Sequence, residues 1–308
     1  MKFGYFNQLQ MPKPWPENAE VLLYKEAMEQ AVHAESMGFD YYWQTEHHFY
    51  TEIGHSSAPE LFLAALAQRT TKIRLGPAVV VLPCNHPYRV VEYISTLDIL
   101  SDGRVEFGTG RGASAYHIEA FGVSPDDSKE IWEESLEVIC SMFVNDPFPG
   151  WQGKWYPNLL ERSLVPKPVQ KPHPPIWVGG ESRPALRRTA ELADGWYPLG
   201  SNPTFPMGTP GQLRAGLERL AGYAERFGRD PSTIETIYRT HQFELLKQAA
   251  GPDRLPFVGD ADQIAGDIRQ YQDMGVTSMI WDFLRQTDDL DSMLGLMEDF
   301  STQVWPKV

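Results

Sequence analysis

Cysteine is nearly absent: Cys84 and Cys140 are the only two in 308 residues. Two isolated cysteines supply neither a disulfide framework nor a cysteine-ligated zinc site, and their scarcity points to a reducing compartment. A basic n-region and an apolar leader are missing, and Met1 to Phe6 reads straight into a strand. No apolar run approaches the ~20 residues of a membrane span. Positive charge is also short, with Lys+Arg 27 against Asp+Glu 41 and a formal net charge of −14. Nucleic acid and anionic lipid are recognised by basic stripes or clusters, so neither is an expected partner. A Gly-x-Ser-x-Gly elbow is lacking, which removes the α/β-hydrolase triad, and so is a P-loop. The expectation is a soluble, cytoplasmic protein.

What is present is an alternation of short β-branched or aromatic runs with longer helical stretches, and 42% hydrophobic residues to bury. Strands are predicted at 2–6, 40–44, 73–82, 105–109, 176–178, 195–198, 234–246 and 278–282. Helices are predicted at 24–37, 59–69, 89–100, 129–143, 183–193, 212–227, 261–274 and 290–304. Eight of each in alternation predicts an α/β fold of the (β/α)8 TIM-barrel type, running over 1–308 as one unit. A doubly wound open sheet is the competing architecture, disfavoured by the count and by the lack of an early Gly-rich βα turn. Residues 145–175 break the rhythm with Pro147, Pro149, Pro157, Pro166, Pro168, Pro172 and Pro174, plus Trp151 and Trp155. Prolines exclude a helix there, so a short hairpin inserted over the barrel mouth is expected, as a lid or binding loop.

Three strand ends carry chemistry-bearing residues. The second runs into Glu46-His47-His48. Adjacent side chains cannot both point inward, so one histidine faces the mouth while the other packs or caps. A metal site would recruit Glu46, His47, His48 and His55, but no His-x-His or helical His-x-x-x-His pair supports it. The competing reading of either histidine is a satisfied structural ring. The fourth strand leads into Phe107-Gly108-Thr109-Gly110-Arg111-Gly112-Ala113. Gly108, Gly110 and Ala113 match a relaxed dinucleotide fingerprint, but no acidic residue closes a following strand. The plainer reading is a Gly-rich strand end where a flat ring or phosphate approaches the backbone, with Arg111 as a fixed cation or a partner in a salt bridge. The fifth gives Gly179-Gly180-Glu181-Ser182 just before a helix, a phosphate seat of exposed N–H groups and helix N-terminus. Ser182 can cap that helix and also donate to the anion; a plain N-cap is the alternative.

With these motifs the chain resembles the luciferase-like flavin-dependent monooxygenases. The matches are Glu46-His47-His48, Val81-Leu82-Pro83 with His86-Pro87-Tyr88-Arg89, Leu97-Asp98-Ile99-Leu100-Ser101-Asp102-Gly103-Arg104, and Phe107 to Gly112. Lys167-Pro168, Ile176 to Ser182 and Ala193-Asp194-Gly195-Trp196 follow in family order. The resemblance implies a barrel that binds reduced FMN, supplied by a separate flavin reductase, and uses O2 to oxygenate a small organic, apolar substrate. It implies that Gly179, Gly180, Glu181 and Ser182 hold the phosphate with Arg111, and that Ala78 and Val79 form a non-prolyl cis peptide beneath the isoalloxazine. Thr109 matches a position beside the ring, and His47 the catalytic histidine, an acid/base with an ordinary pKa near ~6.5. Aromatic residues at 151–156 would close the pocket, and a homodimer is expected. Bacterial luciferase has a reactive cysteine where this chain has Gly110, so light emission is not implied. Two other functions fit the same barrel: hydride transfer with the deazaflavin F420, and non-catalytic flavin binding.

Overall fold

The computed structural model describes residues 1–112, 114–240, 242–283 and 289–308. Its strands are β1 (Lys2–Asn7), β2 (Tyr41–Gln44), β3 (Arg74–Pro77), β4 (Val80–Val81), β5 (Phe107–Gly110), β6 (Ile176–Gly179), β7 (Gly195–Tyr197), β8 (Glu235–Arg239), β9 (Glu244–Leu245), β10 (Val258–Gly259) and β11 (Ser278–Trp281). Strands β9 and β10 pair separately, and the rest form one parallel sheet in the order β3-β2-β1-β11-β8-β7-β6-β5-β4. The two ends of that order, β3 and β4, are consecutive pieces of one passage of chain, so the sheet closes on itself. A parallel bridge between Leu75 and Val105 adds to the closure. The fold is therefore an α/β barrel of the TIM type.

The stretch 73–82, expected as one strand, is two. β3 pairs with β2 and β4 pairs with β5, so the chain changes partners between them. At the change the Ala78 N–H donates to the Gln44 carbonyl at 2.7 Å, and the Ala78–Val79 peptide, singled out by the resemblance, is cis. Alternation along the strands then decides which side chains fill the interior. Phe6, Tyr41, Trp43, Ala78, Trp177, Tyr197, Ile237 and Ile280 form one inward cluster, separate from the larger shell between sheet and helices. Two residues further along their strands, in the same phase, stand Thr45, Gly179, Arg239 and Asp282. These face the end of the barrel at which all the strands finish.

The helices are α1 (Ala19–Ser36), α2 (Pro59–Ala67), α3 (Pro87–Leu100), α4 (Ala115–Ala120), α5 (Ser128–Val144), α6 (Arg183–Leu192), α7 (Pro210–Arg226), α8 (Ala261–Asp273) and α9 (Leu290–Asp299). Caps fix their starts: Ser182 accepts from the Ala185 N–H, and Thr209 with Gln212 and Asp260 with Gln263 form capping boxes. Helix α4 went unpredicted, because six residues are too few to display a 3.6-residue period. Among the described residues no helix is long and apolar enough to cross a membrane.

The proline-rich insertion is the expected hairpin, with antiparallel bridges Phe148–Arg162 and Trp151–Leu159. Its aromatic tip is anchored rather than loose. The Glu134 carboxylate on α5 accepts from Trp151 Nε1 (3.2 Å) and from the N–H groups of Lys154 (3.1 Å), Trp155 (3.0 Å) and Tyr156 (2.9 Å). Tyr156 adds a hydroxyl contact to Ser135 at 2.8 Å, and Tyr88 at the start of α3 donates to the Leu160 carbonyl at 2.7 Å. One carboxylate thus takes up the N–H groups at the hairpin tip that the backbone bridges leave over. Glu134→Ala should cost about 2 kcal/mol, since each partly exposed bond is worth ~0.5–1.5 kcal/mol net. Thermal denaturation would register the loss, and limited proteolysis should cut within 145–175 about tenfold faster.

Candidate active site at the strand ends

Glu46, at the end of β2, organises the first part of the site. Its carboxylate is buried, and it accepts from the Val81 N–H and from Asn85 Nδ2, both at 2.9 Å. Oε1 also lies 3.0 Å from His48 Nε2. One acidic side chain so ties β2 to the chain just beyond the cis peptide and takes up His48, whose ring packs on Phe121 at 4.8 Å between centroids. His47 points elsewhere. Its N–H donates to the Ser56 carbonyl at 2.8 Å, and its ring abuts Gly54, where a Cβ would lie 2.6 Å from Cδ2. The rings of His117 and Tyr50 stand 5.7 and 5.8 Å away.

His47 does not keep the ordinary pKa expected for it. Burial first, and then electrostatic repulsion from His117, Arg239 and His48, pushes it down to about 4. The ring is neutral at pH 7, so it is a base or hydrogen-bond partner and not a reservoir of a ready proton. Among the described residues no group of three or more His, Cys, Asp or Glu is placed to hold a metal ion.

The second part is built on Val79 and two glycines. Val79 is half-buried, and its two methyl groups lie against Gly110 and Gly179. A Cβ on Gly110 would come within 2.6 Å of Val79 Cγ2, and one on Gly179 within 3.0 Å of Cγ1. Val79 thus fills the space that side chains at these two positions would take, so the glycines let the end of β4 pack directly on the backbone of β5 and β6. The same contact leaves no room for a cysteine at position 110 unless Val79 moves. Beyond β6, Gly180 has φ +134, and Ser182 caps α6. Pro184 has no N–H and the Ala185 N–H is taken by Ser182, so the donors this turn offers an anion are the N–H groups of Ser182 and Arg183, together with the partial positive charge of the helix start. Arg111 follows β5, is exposed, and forms no ion pair among the described residues. These residues fit a ring with a phosphate tail.

Two expected contributions change on inspection. Glu181 turns its buried carboxylate away from the seat, accepting from the Leu199 N–H at 2.6 Å and from Asn202 Nδ2. Burial raises its pKa despite those bonds, so its side chain braces the loop after β7 and only its backbone can serve the seat. The Thr109 hydroxyl accepts from Trp132 Nε1 on α5 at 3.2 Å, because Thr109 is out of phase with the inward Gly108 and Gly110. What it shows to Gly179 is its carbonyl, 3.8 Å from a Cβ there. Ala113, which ended the dinucleotide match, lies outside the described residues. Four residues near the mouth were not foreseen: His117, Tyr197, Arg239 and Asp282. His117 hides in the short α4. Arg239 carried a signal, being a charge in the inward phase of an apolar strand, but 234–246 read as one long strand gave it no particular place.

The luciferase-like monooxygenase family model matches residues 1–243. A 4-hydroxyprotoasukamycin monooxygenase of Streptomyces nodosus is 36% identical over 252 residues, covering 81% of this chain and 66% of that protein. The oxygenase component of a flavin-dependent trigonelline monooxygenase of Acinetobacter baylyi is 30% identical over 182 residues, 58% of this chain and 48% of its own length. The chain spans about half the length of several of the curated relatives it matches. In fold it is similar to the oxygenating constituent of 3,6-diketocamphane monooxygenase of Pseudomonas putida, solved in complex with FMN. That match has a TM-score of 0.78 at 20% identity and covers 100% of this chain and 99% of the other. An F420-dependent tetrahydromethanopterin reductase of Methanopyrus kandleri has the same fold, with a TM-score of 0.74 at 18% identity, covering 99% and 98%. With the family model spanning most of its length, and with this barrel and these strand ends, the chain belongs to the luciferase-like monooxygenases.

Proposed function

We propose that the protein is a monooxygenase that uses reduced FMN, delivered by a separate reductase, and O2 to oxygenate a small organic molecule. The observation that carries this reading is the arrangement of one rim. The Glu46 bonds join the His47 segment to β4, and Val79 joins β4 to Gly110 and Gly179 beside the start of α6. A relative described as a flavin-dependent oxygenase component supports the reductase, and the FMN complex of a similar fold supports the cofactor.

Gly179, Gly180, Ser182 and the Arg183 N–H at the start of α6 would hold the phosphate, with Arg111 adding charge. Ala78, Val79 and the backbone at Thr109 would support the ring. When bound, the reduced ring supplies the electrons that activate dioxygen. The protein's own task is to position the substrate, keep water out and control protons. His47, neutral and half-buried, accepts or passes a proton at one ring nitrogen while staying uncharged in the resting site. Because a charged ring there would draw water, its low pKa also helps keep the cavity dry.

The phosphate seat gives the direct test. FMN should bind at least tenfold more tightly than riboflavin, which lacks the phosphate, and Arg111→Ala should erase much of that margin. Equal affinity for the two would sink the seat. Substrate-dependent oxygen uptake with reduced FMN distinguishes this reading from hydride exchange with F420, and FMN binding without any turnover would indicate a flavin-binding protein.

A further inference from the structure

One buried histidine has no part in the reading above. His117 on α4 is 3% exposed, and its Nε2 meets no hydrogen-bond partner among the described residues. Leaving a buried polar atom unpaired is costly, and such atoms occur where chemistry uses them or water reaches them. The surroundings of His117 are rings able to carry protons. Between centroids, Tyr50 lies 4.0 Å away, His47 5.7 Å and His48 6.3 Å, all three from the segment after β2. His47 and His48 are adjacent in the chain and point apart, yet both rings abut that of His117. His48 Nε2 in turn lies 3.0 Å from the Glu46 carboxylate. The groups therefore stand in the order His47, His117, His48, Glu46.

That order meets a need set by His47. With its pKa pushed down to about 4, its ring cannot keep a proton it takes up at neutral pH. Arg239 also acts on His47, but it is already a cation paired with Asp282 and accepts nothing. At the far end, a proton on His48 would face the Glu46 carboxylate, so its charge would be matched. Imidazole suits the middle position, because it accepts a proton at one nitrogen and releases another from the second. Only N–H bonds form and break, no electrons are transferred, and the ring ends neutral. Gaps of this size between polar rings are closed by one water molecule. Tyr50 and Tyr116 are the other titratable side chains packed against His117, and His48 and Glu46 are the charges that act on it. We propose that His117 relays protons between His47 and the His48–Glu46 pair. The inference rests on the monooxygenase reading and deepens it by giving the proton taken up at His47 a route out of the site.

The test uses the full chain. FMN titration of the unaltered protein comes first: failure to bind defeats the monooxygenase reading and this inference with it. Bound reduced FMN is then mixed rapidly with O2 in the absence of substrate, and the return of oxidised-flavin absorbance is followed. FMNH2 and O2 become FMN and H2O2, so protons must move within the site. His117→Phe keeps a ring against Tyr50, and His117→Gln keeps a polar side chain that does not titrate. Both should slow flavin oxidation about tenfold and raise its solvent deuterium isotope effect, with FMN affinity within about twofold. In His117→Ala, added imidazole should restore at least half of the lost rate. A second readout needs no flavin: nitrogen NMR of the protein alone should show His117 neutral at pH 7 with Nε2 unprotonated. The relay is overturned if the Phe and Gln variants oxidise FMN at the unaltered rate, or slow it without a change in isotope effect. It is equally overturned if imidazole restores nothing, or if His117 is charged at pH 7. Any of these results with FMN still bound defeats the relay alone.

Discussion

His47→Gln should lower substrate-dependent oxygen consumption about 10²- to 10⁴-fold at pH 7, the range expected when a positioned acid/base is removed. FMN affinity should stay within about twofold, because His47 stands at the β2 end while the phosphate seat lies beyond β6. Oxygen reduced without product should rise in the variant. Unchanged turnover would remove His47 from the chemistry. The pH behaviour follows from its depressed pKa of about 4. The neutral ring survives acidification well below the usual imidazole range, so loss of activity from this group should begin only as pH approaches 4. Stability responds earlier. The unfolded chain takes up this proton near pH ~6.5 while the folded chain resists until about 4, so the unfolded state binds more protons in that window. His47 thus contributes stability that is fully present above ~6.5 and is lost as pH falls towards 4, on the order of 3 kcal/mol in all. Denaturant titrations of His47→Gln should show a flatter pH dependence across that window. Part of the slope should remain, because burial lowers the pKa of His117 and His86 as well.

Arg104→Met should produce the largest loss of stability, about 3–5 kcal/mol, with a Tm lower by roughly 10 °C. Arg104 is buried and closes the run from Leu97 to Arg104 that the resemblance flagged. Its Nε donates to the Ser101 carbonyl at 2.7 Å, and Nη1 to the Ile73 carbonyl at 2.7 Å and the Thr70 hydroxyl at 3.0 Å. Nη2 donates to the carbonyls of Ala67 at 2.9 Å and Thr70 at 3.1 Å. Ala67 is the last residue of α2, so the cation also sits at the negative end of that helix. A methionine fills the space but leaves those carbonyls buried without donors. Arg104→Lys should recover less than half of the loss, since a point charge cannot reproduce the planar fork. FMN affinity, measured at low temperature where the variant remains folded, should be unaltered. A family motif that looks functional in sequence is here a clamp between two helix ends and a strand.

The barrel type, most of the alternation and the hairpin between α5 and β6 were legible in the residues, because each rests on local properties: apolar periodicity, caps and the exclusions that proline imposes; the division of 73–82 and of 234–246 into two strands each was not. The positions of His47, Gly110 and Gly179–Gly180 at strand ends were legible too, since a barrel gathers all such ends at one mouth. What tertiary contact decided is which way groups face and what charge they carry. The phase of β5 turned Thr109 outward to Trp132, the loop after β7 claimed the Glu181 carboxylate, and burial near Arg239 lowered the pKa of His47. None of these is a property of a residue or its neighbours in the chain. Each depends on partners far away in sequence: 23 residues for Thr109 and Trp132, 18 for Glu181 and Leu199. Local sequence sets the conformation a segment prefers, whereas desolvation and pairing exist only once the barrel has closed around them.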